Sequence, residues 1–301
     1  MKNPSNHVNI LEKNILALYG NRGKQWLANL PKVILILKEY WQLENIMPVT
    51  TMNYNYVVKA THQHHGAVVI KISCDQKTLE EELRALKHFD GDGSIILIDD
   101  NPEYQALLLQ QAVPGNSLKD LYLKHPEKAM ERYVDVMKKL HKKAAPQDLT
   151  HFLHINDWFK VLDCSSSNQL PTLLLKKAKY LKDQQIKTMK ENLVLHGDLH
   201  HDNILLNGHE WLAIDPKGII GEPEFELAAF DLIRDSEMSD PRTIKPLLFK
   251  RITQLSTLAA LDESRVRDWV FLRIMLSAAW FVEDKGDPQK MLHLAETFIE
   301  Y

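Results

Sequence analysis

The chain has 301 residues, 45% hydrophobic and 26% charged, ordinary globular proportions for one large domain or two lobes. Its 37 basic and 40 acidic side chains leave a net charge of -3, without the basic excess that would point to nucleic acid as the main partner. Cys74 and Cys164 stand far apart with no metal-type spacing, so a reducing cytosol fits better than a structural disulfide.

The N-terminal MKNPSNHVNI has no long apolar run and does not read as a signal peptide, and later apolar stretches are too short or too charged to span a bilayer. A cytoplasmic protein with no membrane partner is expected. Residues 8–43 read as helices. Val8, Leu11, Ile15 and Leu18 recur at helical spacing, Tyr19-Gly20-Asn21 interrupts them, and Pro31 marks a helix start before Val33, Ile34, Leu37 and Trp41. From Ile46 to Ser73 the period falls to two. Tyr54, Tyr56 and Val58 alternate, and His62-Gln63-His64-His65-Gly66 turns. Residues 67–73 then form a strand with Val68, Ile70 and Ile72 on the core face and Val69 and Lys71 on the other. His62, His64 and His65 have no acidic or cysteine neighbour, so they read as an exposed turn rather than a metal site. Thr78–Phe89 reads as a helix with the stripe Leu79, Leu83, Leu86 and Phe89. Glu82 borders that stripe within reach of Lys71; Glu80, Glu81 and Glu82 together also suit the helix's N-terminal dipole. After the turn Gly91-Asp92-Gly93, residues 95–99 and 106–110 read as a strand hairpin.

Beyond Ser117 the chain is mostly helical. Met130, Val134, Met137 and Leu140 lead to His141, a polar helix end, and 148–164 and 173–189 are further helices joined by the polar loop 165–168. The most informative stretch is 193–217. Leu193-Val194-Leu195 ends in His196-Gly197-Asp198, Ile204-Leu205-Leu206 turns at Asn207-Gly208, and Trp211–Ile214 ends at Asp215. Such a hairpin brings Asp198, Asn203 and Asp215 to one mouth, where two carboxylates and an amide suit one base and two oxygen ligands for a hard divalent ion. His200 and His201, in the same loop, suit either the site or a structural hydrogen bond. Helix is expected again over 221–231, and 261–280 reads as a core helix packing Trp269, Leu272, Met275 and Trp280.

His196-x-Asp198, then Asn203, then Asp215, resembles the catalytic and metal loops of the protein-kinase-like phosphotransferases, and Gly197 after the histidine resembles their antibiotic-kinase branch. Trp211-Leu212-Ala213-Ile214-Asp215-Pro216-Lys217-Gly218, continued by Gly221-Glu222-Pro223, resembles the aminoglycoside/hydroxyurea phosphotransferase family, which includes streptomycin 6-kinases. Tyr19-Gly20, Trp26 through Pro31 and Tyr40-Trp41 are similar to that family's N-terminal helices. The resemblance implies an α+β, bilobal protein-kinase-like fold. Residues 1–110 would form N-terminal helices and a nucleotide-binding small lobe with an antiparallel sheet. Residues 111–301 would form a mainly helical large lobe with the catalytic loop, the metal loop and the acceptor site.

ATP and Mg2+ are the implied cofactors. Asp198 is the implied base, and Asn203 and Asp215 the implied metal ligands. Lys71, placed by Glu82, would meet the phosphates, and Val69 would lie over the adenine. The Gln110 carbonyl and Ala112 amide of the hinge 110–115 would bind the adenine edge, with Leu205 and Ile214 also on the nucleotide. The loop 49–54 has no glycine, which leaves phosphate contacts to Thr50, Thr51 or Asn53. Glu226 would brace the catalytic loop, and Lys217 would touch either the γ-phosphate or only the loop. A cationic acceptor would suit Glu222, Glu224, Asp231, Asp235, Glu237 and Asp240, opposed only by Arg234, together with Glu283 and Asp284. The implied function is transfer of the ATP γ-phosphate to a hydroxyl of an aminoglycoside such as streptomycin, by a monomer. Alternatives are a kinase of another metabolite hydroxyl and a nucleotide-binding pseudokinase scaffold. A protein kinase would need an A-P-E-like activation segment, and none follows Asp215-Pro216-Lys217.

Overall fold

The computed structural model describes residues 5–50, 52–165, 169–238 and 240–299. Two compact units divide the chain: Met1–Asn116 with Leu206–Leu212, and Ser117–Leu205 with Ala213–Tyr301.

The first unit opens with α1 (Ser5–Tyr40), two helical arms meeting at Gly20, whose φ of 52° and ψ of -125° suit glycine. Gly23 lets the arms close, since a Cβ there would stand 2.6 Å from the Ile15 carbonyl oxygen. Pro31 does not begin a helix but lies inside the second arm. Its fixed φ suits the helix, and burial of Leu30, Leu37 and Trp41 around it offsets the missing N–H. Strands β1 (Leu43–Pro48), β2 (Asn55–His62) and β3 (Gly66–Ser73) follow, then α2 (Gln76–Phe89), β4 (Leu97–Asn101) and β5 (Ala106–Gln110). The strands make one antiparallel sheet of order β1-β2-β3-β5-β4. Alternation sets its faces: Val68, Ile70 and Ile72 are buried and pack with Leu30, Leu37 and Trp41. Asp75 starts α2 by accepting from the Thr78 amide at 3.3 Å.

After β6 (Pro114–Ser117) come α3 (Leu118–Lys124), α4 (Pro126–Leu140), β7 (Leu153–His154), α5 (Ile155–Cys164), α6 (Thr172–Lys187) and β8 (Leu193–Leu195). The hairpin β9 (Ile204–Asn207) and β10 (Glu210–Ala213) leads to β11 (Ile219–Gly221), α7 (Pro223–Leu227), α8 (Pro241–Ala259), α9 (Glu263–Glu283) and α10 (Gln289–Glu296). Helix does not reach back to residue 148. His154 and Asp157 form a reciprocal cap that starts α5, and Leu153-His154 pairs with β11 instead. Residues 166–168 of the expected polar loop lie outside the described residues. The helix expected over 221–231 shrinks to α7. Its first residue belongs to β11, where a Cβ on Gly221 would stand 2.7 Å from Leu195 Cδ1.

α9 carries the core of the second unit. Trp269, Leu272 and Met275 are fully buried, and the rings of Phe159 and Phe225 lie 5.9 and 5.3 Å from that of Trp269. Trp280 is only half-buried, edge-on to Trp158 at 5.4 Å. The β9–β10 turn is Gly208-His209 rather than Asn207-Gly208: φ is +59° at Gly208 and not positive at His209, the type II′ pattern. Asn207 instead accepts from the Val113 amide at 3.1 Å, while the Gly208 amide donates to the Val113 carbonyl at 2.6 Å. The hairpin joins β6 in a sheet of order β10-β9-β6. Among the described residues no helix is long and apolar enough to cross a membrane.

Candidate active site

The loop after β8 is fixed at nearly every polar atom. His196 is buried; its Nδ1 accepts from the Asp198 amide at 3.2 Å, so its proton sits on Nε2, 2.8 Å from the Ile214 carbonyl. Burial pushes the His196 pKa down, which favours that neutral ring. Gly197 has φ +83°, and a Cβ there would stand 3.1 Å from Trp158 and 3.2 Å from Ile219. The buried Glu226 carboxylate accepts from the amides of His196, at 2.5 Å, and Gly197, at 3.0 Å. Burial pushes the Glu226 carboxyl up, but the hydrogen bonds from His141 and from the His196 amide outweigh it and hold it below the usual range.

Asn203 Nδ2 and the His200 amide both donate to the Asp198 carbonyl at 2.9 Å. The Ile214 amide donates to the Asn203 carbonyl at 2.9 Å, which sets Asp215 one residue beyond Asn203's partner. Asp215 has φ 59°, a left-handed conformation uncommon for a non-glycine residue. The fold thus ties Asp198 to Asn203 directly and Asp215 to Asn203 through the backbone. The Lys217 amide donates to the His196 carbonyl at 2.7 Å, and its side chain is half-buried.

Arg273 of α9 reaches this loop. Its Nη1 donates to the Gly197 carbonyl at 2.7 Å and its Nη2 to Asp198 Oδ1 at 3.1 Å. Asp198 and Arg273 line a cavity of about 380 Å3, with His200, Asp202, Asp231 and Lys290 as further polar walls. Much of the remaining lining is apolar, including Leu232, Ile233, Val270 and Met291.

In the first unit, Lys71 Nζ lies 2.6 Å from Glu82 Oε2, both side chains buried. Val69 is half-buried between partners Lys59 and Leu109. Gln110 holds the Ile96 amide with its side chain at 3.2 Å, and Ala112 is buried. In the loop 49–54, Met52 is buried and takes the Val57 amide at 3.3 Å, while the Asn53 carbonyl accepts from Asn14 at 3.0 Å. Thr51 lies outside the described residues. His62 Nδ1 accepts from the amides of His64 and His65, at 3.1 and 3.2 Å, and so organises its turn.

The family model described as aminoglycoside/hydroxyurea antibiotic resistance kinase matches residues 40–285. The chain belongs to that family. It is 25% identical to streptomycin 6-kinase of Streptomyces griseus, over 88% of this chain and 87% of the relative. It is 30% identical to streptomycin 3''-kinase of Klebsiella pneumoniae, over 68% and 76%. Its fold matches the aminoglycoside phosphotransferase APH(4)-Ia, solved with ADP and hygromycin B, at a TM-score of 0.58 and 11% identity, covering 88% of this chain and 98% of that one. This kinase is therefore an O-phosphotransferase on a protein-kinase-like α+β fold.

Within the kinase, the carboxylates expected for the acceptor part company. Asp231 lines the cavity, 3.2 Å from His201 Nδ1. Glu222 does not: it is buried, bound to Arg265 at 2.5 Å and to the Trp269 indole. Glu237 is taken by Arg251 and Arg234, and Asp240 caps α8. Asp235 is 2.5 Å from the wall residue Lys290, while Glu224, Glu283 and Asp284 lie outside the lining. Burial pushes the Glu224 carboxyl up, as it would for a carboxylate without a strong cationic partner. His141 is more than a helix end, since its Nε2 lies 3.5 Å from Glu226. Arg273 went unread in the sequence, although a lone cation in the apolar run Val270-Phe271-Leu272-Arg273-Ile274-Met275-Leu276 is a signal that it has a buried partner.

Proposed function

We propose that this kinase transfers the γ-phosphate of ATP to a hydroxyl of an aminoglycoside such as streptomycin, with Asp198 as the base. The observation that carries the reading is Asp198 itself, anchored at backbone and side chain in the wall of an acceptor-sized cavity. Asp198 takes the hydroxyl proton as the acceptor oxygen forms its bond to the γ-phosphorus, the bond to the β-bridging oxygen breaks, and ADP leaves. Lys71, held by Glu82, contacts the proximal phosphates. Val69 covers the adenine, backbone at Gln110 and Ala112 meets its edge, and Leu205 of β9 and Ile214, just past β10, contact it as well.

Asn203 and Asp215 fit magnesium by donor chemistry, an amide oxygen and a carboxylate. Among the described residues no three His, Cys, Asp or Glu gather as a metal cage, and magnesium at a phosphoryl-transfer site takes only one or two carboxylates plus substrate phosphates. When bound, the ion neutralises charge on the phosphate oxygens.

One observation favours a second acceptor class. The cavity wall sets apolar side chains such as Leu232, Val270 and Met291 beside its charged ones, and Asp198, Asp202 and Asp231 already have Arg273, Lys119 and His201 as partners. A hydroxyl compound with an apolar body and few charges fits that wall. The deciding experiment is ADP release with Mg2+ across streptomycin, other aminoglycosides, hydroxyurea and uncharged hydroxyl compounds. Streptomycin-dependent ADP release supports the first reading; turnover with uncharged acceptors alone replaces it with the second.

A further inference from the structure

We infer that Arg273 is a positioning residue for phosphoryl transfer, fixing which oxygen of Asp198 faces the acceptor; this rests on Asp198 being the base. A carboxylate's last torsion is broad and two-fold, so an untethered aspartate offers either oxygen at a poorly defined angle. The Arg273 guanidinium removes that freedom, because its two arms hold different parts of the chain. Nη1 holds the Gly197 main-chain carbonyl at 2.7 Å, and Nη2 holds Asp198 Oδ1 at 3.1 Å. The main chain on which this fork rests is itself fixed by Glu226, His200 and Asn203. Arg273 is braced in turn: its guanidinium lies over the Phe225 ring, 5.3 Å from the centroid, and its side chain is 13% exposed. Oδ2 is then the oxygen left for the proton, with His200 Nε2 at 3.9 Å, beyond hydrogen-bond range. A lysine at 273 would keep the charge and lose the planar fork.

The test compares wild type, Arg273→Ala and Arg273→Lys by ADP release, both with an acceptor and as hydrolysis to water, alongside thermal unfolding. For Arg273→Ala, kcat falls about 100-fold while the ATP KM stays within about twofold, the loss typical of a misplaced catalytic group. Millimolar guanidinium chloride restores part of that kcat in the folded alanine variant and leaves wild type unchanged. Arg273→Lys recovers less than about tenfold of the loss. Wild-type kcat in Arg273→Lys overturns the inference, as does a loss confined to KM or a folded alanine variant that guanidinium does not rescue. If the alanine variant does not fold, the lysine variant decides alone. A wild type that hydrolyses ATP but phosphorylates no acceptor overturns the acceptor reading and leaves this test intact, whereas one inert toward ATP overturns the kinase reading itself.

Discussion

Lys71 and Glu82 meet at 2.6 Å with only 5% and 6% of their side chains exposed, so each offsets part of the cost of keeping the other charged away from water. Strand and helix periodicity bring them together: Lys71 sits mid-strand in β3, and Glu82 is on the buried face of α2. Removing one partner takes away this 2.6 Å contact from a charge that stays buried. Glu82→Ala is expected to lower stability by about 3–5 kcal/mol, and the double change Lys71→Met with Glu82→Leu to lose markedly less. Urea unfolding of each single variant and of the double checks this; a double loss equal to the sum of the two single losses would mean the side chains act independently.

Asp198→Asn keeps the shape of the side chain and removes the base. Its kcat is expected to fall about 10²- to 10⁴-fold with nucleotide affinity retained. Titration with a fluorescent ATP analogue beside steady-state kinetics separates the two effects. A variant that loses both without unfolding would place residue 198 in nucleotide binding instead.

Asp231 and Glu222 were equivalent candidates as letters and are not equivalent in place. Asp231→Asn is expected to raise the acceptor KM about tenfold, or ~1.4 kcal/mol, because Asp231 lines the cavity. Glu222→Gln is expected to leave that KM alone and lower stability by about 1–3 kcal/mol, through Arg265 and Trp269. Reversed results would move the acceptor away from the cavity beside Asp198.

Glu237 gives the fold an acid-sensitive point. Burial pushes its carboxyl up, but the hydrogen bonds from Arg251 and Arg234 outweigh that and take its pKa down from 4.5 to about 2. A lowered folded-state pKa means the contribution is complete above about pH 4.5 and fades as pH falls toward 2. The contribution is on the order of 3 kcal/mol. Unfolding free energy should therefore drop across that window in wild type and drop less in Glu237→Gln. Parallel pH curves for the two proteins would remove Glu237 as the cause.

The legible parts of this protein were those where local period and contact coincide. Alternation around Lys71 and the helical stripe beside Glu82 predicted a pair that the fold makes. The run from Leu193 to Asp215 was legible because its partners lie within about two dozen residues, so one hairpin joins them. Arg273 and His141 were not legible in their roles, because their partners Asp198 and Glu226 are distant in sequence and meet only when helices pack. Glu222 misled for the same reason: an acidic cluster carries no sign that Arg265 and Trp269 will claim one member. At Asn207-Gly208 the turn residues were right in kind and one place out of register, since the Val113 amide claims the asparagine.

Asp215 holds its left-handed backbone at φ 59° where glycine would sit at ease. For a non-glycine residue that conformation is unfavourable by roughly 1–2 kcal/mol. Asp215→Gly would relieve that backbone cost and discard the carboxylate proposed to hold the metal. Backbone ease and turnover are thus set against each other at a single peptide unit, and any directed-evolution campaign on this scaffold must screen for activity alongside heat resistance.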